Sequence, residues 1–223
     1  MRCDGTMTAI WPLFDLRVST PRLTLGYVTD ERALELAELA AHGIHDPGTM
    51  PFSEPWTDVA PPEQQRNTVR YFWRCRAETT VEGWNLVLAA RDRDGTILGV
   101  CTLGAEHFPT TRTATTGSWL GRRFQGRGLG REMREAALHL LFDGLGGDVA
   151  ATRAWHDNAA SLRVTRSLPY TEQAPRDEMR RGRPDTMLAF EMTRPQWQTI
   201  RRSDVHLEGV DPVREFLGVA AVR

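Results

Sequence analysis

Along the chain the spacing of apolar residues changes period, and each change predicts an element. PRLTLGYV, from Pro21 to Val28, alternates apolar and polar positions and predicts a strand. DERALELAELAAHG, from Asp30, keeps helical spacing between an N-capping aspartate and a closing glycine, so a helix follows. A second helix is expected over EQQRNTVRYFWRCRAET, soon after Pro62. WNLVLAARDRDGTILGVCTLG predicts two strands turned at Arg93-Asp94-Gly95, and RTATTGSWLG a third antiparallel strand. From Gly126 to about Phe142, residues Leu129, Met133, Ala136, Ala137, Leu140 and Leu141 fall three and four apart, one face of a helix. DVAATRAW predicts a short strand, and NAASLRVTRSL a helix capped by Asn158. Pro169 to Met192 predicts a final hairpin with a long arginine-rich connection. The order β, α, α, β, β, β, α, β, α, β, β implies an α/β (α+β) fold, a mixed, mostly antiparallel twisted sheet with helices on both faces.

The 223 residues, 40% of them hydrophobic, suffice for one well-cored domain. The expected layout is an N-terminal segment over 1–19, the domain over 20–194 and a weakly patterned C-terminal tail over 195–223. His45 to Pro62 carries five prolines and predicts a long ordered loop, a common place for substrate contacts. The sequence shows no apolar run that could span a bilayer and no secretory leader pattern, so a cytoplasmic protein without membrane contact is expected. Cys3, Cys75 and Cys101 are odd in number and scattered, which argues for free thiols over a disulfide framework or a zinc site, and no metal is expected.

A net charge of -1 provides no general field for nucleic acid, so any anion site must be local. All basic side chains apart from histidine are arginine, and without lysine neither a Walker A loop nor a Schiff base can form. The local candidate is WLGRRFQGRGLGREM, Trp119 to Met133, where glycine and arginine crowd the mouth of a helix. Glycines let a phosphate approach the main chain, a helix start adds unpaired N–H donors, and arginines supply forked hydrogen bonds. Gly126, Gly128 and Gly130 are spaced G-x-G-x-G, which departs from the G-x-G-x-x-G of a dinucleotide site.

Gln125-Gly126-Arg127-Gly128-Leu129-Gly130, set between a strand and a helix, resembles motif A of the GNAT superfamily of acyl-CoA-dependent N-acyltransferases. DNAASLRVTRSLPY is similar to the D-N-x-x-S...L-G-[FY] segment of the Rim-type ribosomal-protein alanine N-acetyltransferase branch, and TPRLTL resembles that branch's first strand. Pro169 stands where that family has glycine. WPLFDLRVSTPRL with HDPGTMPFSEPW is also similar to an actinobacterial subgroup in which succinyl-CoA can serve as donor.

The resemblance implies acyl transfer from acetyl-CoA or succinyl-CoA to a primary amine by direct attack on the thioester. It implies a pyrophosphate cradle of Gln125, Gly126, Arg127, Gly128, Leu129, Gly130 and Arg131, with Gln125 donating from its side chain. Main-chain groups of Leu120 and Arg122 would bond the pantetheine arm, and an N–H near Trp119 or Leu120 would meet the oxyanion. Asn158 would orient cofactor or water and Ser161 would supply the leaving sulfur with a proton. Each also has a plain role: Asn158 as a cap, Ser161 as a first-turn hydroxyl, Trp119 as core. Glu106 is the first candidate for general base and Glu132 the second, with helix-dipole capping as the alternative for Glu132.

The proline-rich loop, with Met50, Phe52 and Trp56 among Asp46, Glu54 and Asp58, could receive a cationic amine. Peptide N-termini, lysines, polyamines and aminoglycosides stay open as acceptors, and a homodimer is compatible with the resemblance. Two rival readings are a catalytically silent acyl-CoA-binding or sensing module and a phosphate- or nucleic-acid-binding protein.

Overall fold

The computed structural model describes residues 10–219, so Cys3 lies outside the described residues. Its centre is β2 (Leu23–Tyr27), β3 (Gly83–Asp92), β4 (Ile97–Glu106), β5 (Thr113–Leu120), β6 (Val149–Trp155) and β9 (Arg183–Thr193), adjacent in that order. β1 (Arg17–Ser19) and β10 (His206–Glu208) extend one edge, while β7 (Thr171–Glu172) and β8 (Arg176–Arg180) both pair with β9 at the other. Neighbours pair antiparallel except β5 and β6, which run parallel. This is the mixed, mostly antiparallel α/β architecture that the periodicity implies.

α1 (Asp30–Ala41) and α2 (Glu63–Ala77) bury Ala33, Leu36, Leu39, Phe72 and Cys75 on one face of the sheet, against Val28, Val87, Ala89 and Val100. Thr29, one residue ahead of the expected aspartate, caps α1 by accepting the Arg32 N–H. α4 (Leu129–His139) packs Met133, Ala136 and Ala137 on the other face, against Leu86, Leu88, Cys101 and Leu103. The helix expected to reach Phe142 widens after His139 into a π turn, Leu140–Gly144. Short α3 (Phe108–Thr111) links β4 to β5, and α5 (Ala159–Arg166) follows β6.

The expected final hairpin turns at Arg181 and Gly182, both at positive φ, so most of the arginine-rich run is strand and not connection. The flanking segments join the same core. Leu13 and Leu16 are fully buried, and α6 (Arg194–Gln198) inserts Trp197, which stacks on Phe142 with ring centroids 5.0 Å apart. α7 (Val210–Phe216) adds Val213, and Leu217 follows it into the interior. The stretch read as a tail has weak periodicity because its apolar residues sit on short elements. Burying each such side chain is still worth about 1.5–3 kcal/mol. Among the described residues no helix is long and apolar enough to cross a membrane.

Candidate active site

β5 and β6 pair from Thr113 with Val149 to Thr116 with Thr152, and then part. β5 continues against β4 as far as Leu120 and β6 against β9 as far as Trp155, leaving a wedge between them. Main-chain groups along an antiparallel strand alternate sides. Gly121 N–H donates to Leu98 O on the β4 side at 3.0 Å. The N–H groups of Leu120 and Ser118 therefore point into the wedge, and that of Trp119 points back toward β4. Of the two positions expected to offer an N–H to the thioester, Leu120 has the right direction and Trp119 does not. Sequence reading missed Ser118, because only strand register reveals which way its amide points.

Arg122 also differs from expectation: its N–H donates to Gly43 O at 3.1 Å, fastening the loop to the end of α1. Gln125 Nε2 donates to Ile44 O at 2.7 Å and Leu120 O at 2.8 Å, so both amide protons staple the loop within the protein. Its side chain is thus a scaffold for the cradle in this conformation. Gly126 and Gly128 have φ of 73° and 76°, the left-handed region that disfavours other residues. A Cβ at Gly126 would meet nothing within 4 Å, so conformation alone requires the glycine there. The first-turn N–H groups of α4, on Leu129, Gly130 and Arg131, have no acceptor within the helix and carry the positive end of its dipole. Arg122, Arg123, Arg127 and Arg131 surround them with exposed side chains. Arg131 is paired with Glu135 at 2.8 Å, and Arg123 lies over the Phe124 ring.

Two sequence motifs meet beneath this loop. The buried Glu132 carboxylate accepts from Thr20 Oγ1 at 2.7 Å, from Arg22 N–H at 3.2 Å and from Arg22 Nε. Arg22 Nη1 also donates to Arg127 O at 3.0 Å. Burial pushes the Glu132 carboxyl upward, but the Thr20 and Arg22 bonds and the Arg22 charge outweigh it and hold the pKa below the usual carboxylate value. Glu132 is thereby engaged as the anchor of the glycine loop, leaving it poorly placed to act as a base.

Asn158 caps α5, accepting Ser161 N–H on Oδ1 at 3.1 Å, while its own N–H donates to Trp155 O at the end of β6. Ser161 is half-buried in the first turn of α5. An added Cβ on Gly130 would touch both Val164 of α5 and Leu120 of β5, so the start of α4 packs against α5 beside the end of β5. Glu106 does not join them. It pairs with Gly83 at the far end of β4, whereas Val100 pairs with Trp119. Five residues at about 3.4 Å each separate Glu106 from Cys101, the β4 partner of Ser118, or about 17 Å along the strand. Glutamate at a strand end looked suitable in one dimension, but antiparallel pairing sends that end away.

Opposite the helix α4 face, the proline-rich loop leans on β5: Trp56 lies 6.2 Å from Trp119 and 5.2 Å from Phe52. The β8–β9 hairpin holds this loop. Arg181 pairs with Asp58, Arg180 donates to Met50 O, and Trp155 Nε1 donates to Phe52 O. Arg180 also stacks over Trp155 and pairs with Asp157 and Asp185. The Arg180 hydrogen bonds hold the Asp157 carboxyl below its ordinary range.

A splayed parallel pair, a glycine loop and a bare helix start thus converge on one wedge, and the GNAT acetyltransferase domain model matches residues 22–171. The chain belongs to the GNAT acetyltransferase family. Solved structures share its fold. One is a candidate ribosomal-protein-serine acetyltransferase from Vibrio cholerae, 20% identical, with TM-score 0.62 over 81% of this chain and 98% of that one. RimL, a ribosomal-protein alpha-N-acetyltransferase in complex with coenzyme A, is 16% identical, with TM-score 0.63 over 78% and 95%. A spermidine N-acetyltransferase SpeG chimera from Vibrio cholerae and hSSAT is 14% identical, with TM-score 0.63 over 79% and 98%. The GNAT fold of this chain is thus shared by RimL and by the SpeG chimera alike.

Sequence reading also missed Arg134. It stands four residues after Gly130 and three before Ala137, on the apolar stripe of α4, which was the available signal. The residue is 3% exposed, with Nη1 donating to Thr152 Oγ1 at 3.1 Å and Nη2 to Ser118 Oγ at 3.5 Å.

Proposed function

We propose that this protein transfers an acyl group, acetyl or succinyl, from acyl-CoA to a primary amine by direct attack on the thioester. The observation that carries the proposal is the wedge: main-chain groups of Ser118 and Leu120 face a gap that ends at an anion-binding helix start. The pantetheine arm would add to β5 there as a strand, and the pyrophosphate would sit on the amides of residues 126–131 among Arg122, Arg127 and Arg131. The N–H of Ser118 or Leu120 would meet the oxyanion. Asn158 holds the start of α5 in place, and the Ser161 hydroxyl would give its proton to the leaving sulfur.

With Glu106 far from the wedge and Glu132 engaged, the reading favours an acceptor that needs little help from a base. A peptide α-amine, with a pKa of about 7.7–8.0, is roughly a tenth neutral at pH 7, whereas a lysine amine is neutral about once in 2,500. Phe52, Trp56 and Trp119 offer such an amine an aromatic wall. We place the reaction in the cytoplasm, where acyl-CoA donors are made and used.

Thermal unfolding with CoA, acetyl-CoA and ATP tests the binding half. A CoA species at about 100 times its dissociation constant should add roughly 2.7 kcal/mol of stability, and ATP should add far less. Equal shifts with ATP would favour a general phosphate site instead. Ser161→Ala should then cut turnover on an N-terminal peptide by about 100-fold while CoA affinity is unchanged. Binding without turnover by the wild-type protein on any primary amine would leave a silent acyl-CoA module.

A further inference from the structure

The sheet face beside α1 carries three arginines that the acyl-transfer site does not use. α1 packs Ala33, Leu36 and Leu39 against Val28, Val87, Ala89 and Val100, and beyond it β2, β1 and β10 continue the same sheet. Residues paired across antiparallel strands share a face, as do alternate residues along one strand. Gly26 and Arg17 stand in line with Ala89, and Thr24 and Ser19 in line with Arg91, so all of them face the α1 side. Arg32, in the first turn of α1, lays its guanidinium on Gly26: a Cβ there would meet Nη1 at 2.9 Å, and the glycine makes room for it. Arg32 Nη1 donates to Tyr27 O at 2.7 Å, and Arg91 Nε donates to Gly95 O at 2.9 Å.

Arg17, Arg32 and Arg91 are each half-buried, and among the described residues none has a carboxylate within ion-pair distance. Glu31 and Glu35 on α1, and Glu208 in line with Arg17 on β10, are exposed, and His206 stands beside Ser19. Burial first, then the charges of Arg91 and Arg17, push the Arg32 pKa down, and the opposing pull of Glu35 and Glu31 is weaker. Between the arginines lie the Ser19 and Thr24 hydroxyls, 3.4 Å apart. The Arg17 fork, Arg32 Nε and Nη2 and the Arg91 Nη groups have no hydrogen-bond partner among the described residues.

We propose that Arg17, Arg32 and Arg91 form a second anion site, for the phosphoryl group of a phosphomonoester or for inorganic phosphate. A phosphoryl group presents three acceptor oxygens and close to two negative charges, enough to share among the three guanidinium groups, and it relieves their mutual repulsion. The site stands apart from the acyl-transfer reading, since β2 lies three places from β5 and α4 packs on the other face of the sheet.

Titration calorimetry with inorganic phosphate, at constant ionic strength and with saturating free CoA to occupy the α4 cradle, tests the proposal. The wild-type protein should bind phosphate with a Kd of about 1 mM or tighter, and acetate about tenfold or more weakly than that. Glucose 6-phosphate in a second arm distinguishes the sources: tighter binding than free phosphate assigns the site to a phosphomonoester, and equal or weaker binding to the free ion. Arg17→Gln and Arg91→Gln should each weaken phosphate binding by about tenfold or more and leave CoA affinity unchanged, and either serves if the other does not fold. No saturable phosphate binding, acetate bound as tightly as phosphate, or phosphate binding that neither substitution weakens overturns the proposal. Failure of CoA to bind overturns acyl transfer alone, because loss of phosphate binding in the two variants still decides this site.

Discussion

Glu132 and Arg134 sit two residues apart on α4, both almost fully buried, and the fold treats them in opposite ways. Glu132 is answered by Thr20 and Arg22, which arrive from the start of the chain and lock the glycine loop to β2. Arg134 meets only neutral hydroxyls. A satisfied buried charge fixes a scaffold, whereas one answered only by neutral hydroxyls carries its desolvation cost incompletely compensated. The contrast coincides with the wedge: Glu132 lies outside it against residues 20–22, and Arg134 faces the gap where β6 has turned away.

The largest expected effect comes from breaking the answered charge. Glu132→Ala should destabilise by about 3 kcal/mol in denaturant titration, because it removes a buried acceptor of several donors. It should also weaken CoA binding by freeing Arg127 O from its Arg22 clamp. The same residue sets a pH dependence. Its folded pKa is depressed, so its contribution is fully present above the unfolded carboxyl value near 4.5 and is lost as pH falls through the lower folded value. In Glu132→Gln that component of acid sensitivity should vanish, and an unaltered pH profile between about 5 and 2 would contradict this assignment.

Removing the unanswered charge should act with the opposite sign. Arg134→Met should raise the stability of the ligand-free protein by about 1 kcal/mol, as apolar replacements of imperfectly compensated buried ions commonly do. A loss of stability of that size or more would show that the two hydroxyl contacts suffice and that the contrast with Glu132 is false. The smallest effect is expected at Gly126→Ala, where only left-handed strain of about 1 kcal/mol is added. Its cost in CoA affinity should exceed its cost in stability, because the loop would relax out of the conformation that presents its amides.

Much of the frame was legible in the residues. The glycine loop, TPRL and the DNAAS segment were visible because each meets a local demand: positive φ at Gly126 and Gly128, the turn into β2 at Thr20, a helix cap at Asn158. The meeting of two of them, Thr20 and Arg22 with Glu132 across 110 residues or more, was not. Nor was the remoteness of Glu106, which depends on the antiparallel register of β4 against β3 and β5. The stretch after Thr193 looked like a tail because α6, β10 and α7 are each too short to show a period, yet Trp197, Val213 and Leu217 complete the core.

Periodicity by itself determined the order of the main elements and put a glycine- and arginine-rich turn at the mouth of a helix, and the short motifs carried the resemblance to the GNAT family, since local patterns follow from interactions among residues close in sequence. Tertiary structure alone decided which strand amides enter the wedge, which carboxylates are spent on anchoring, and which buried arginine is left without a counter-charge. The reason is physical: direction and charge balance are properties of neighbours brought together by sheet register, and a linear pattern carries no record of who those neighbours are.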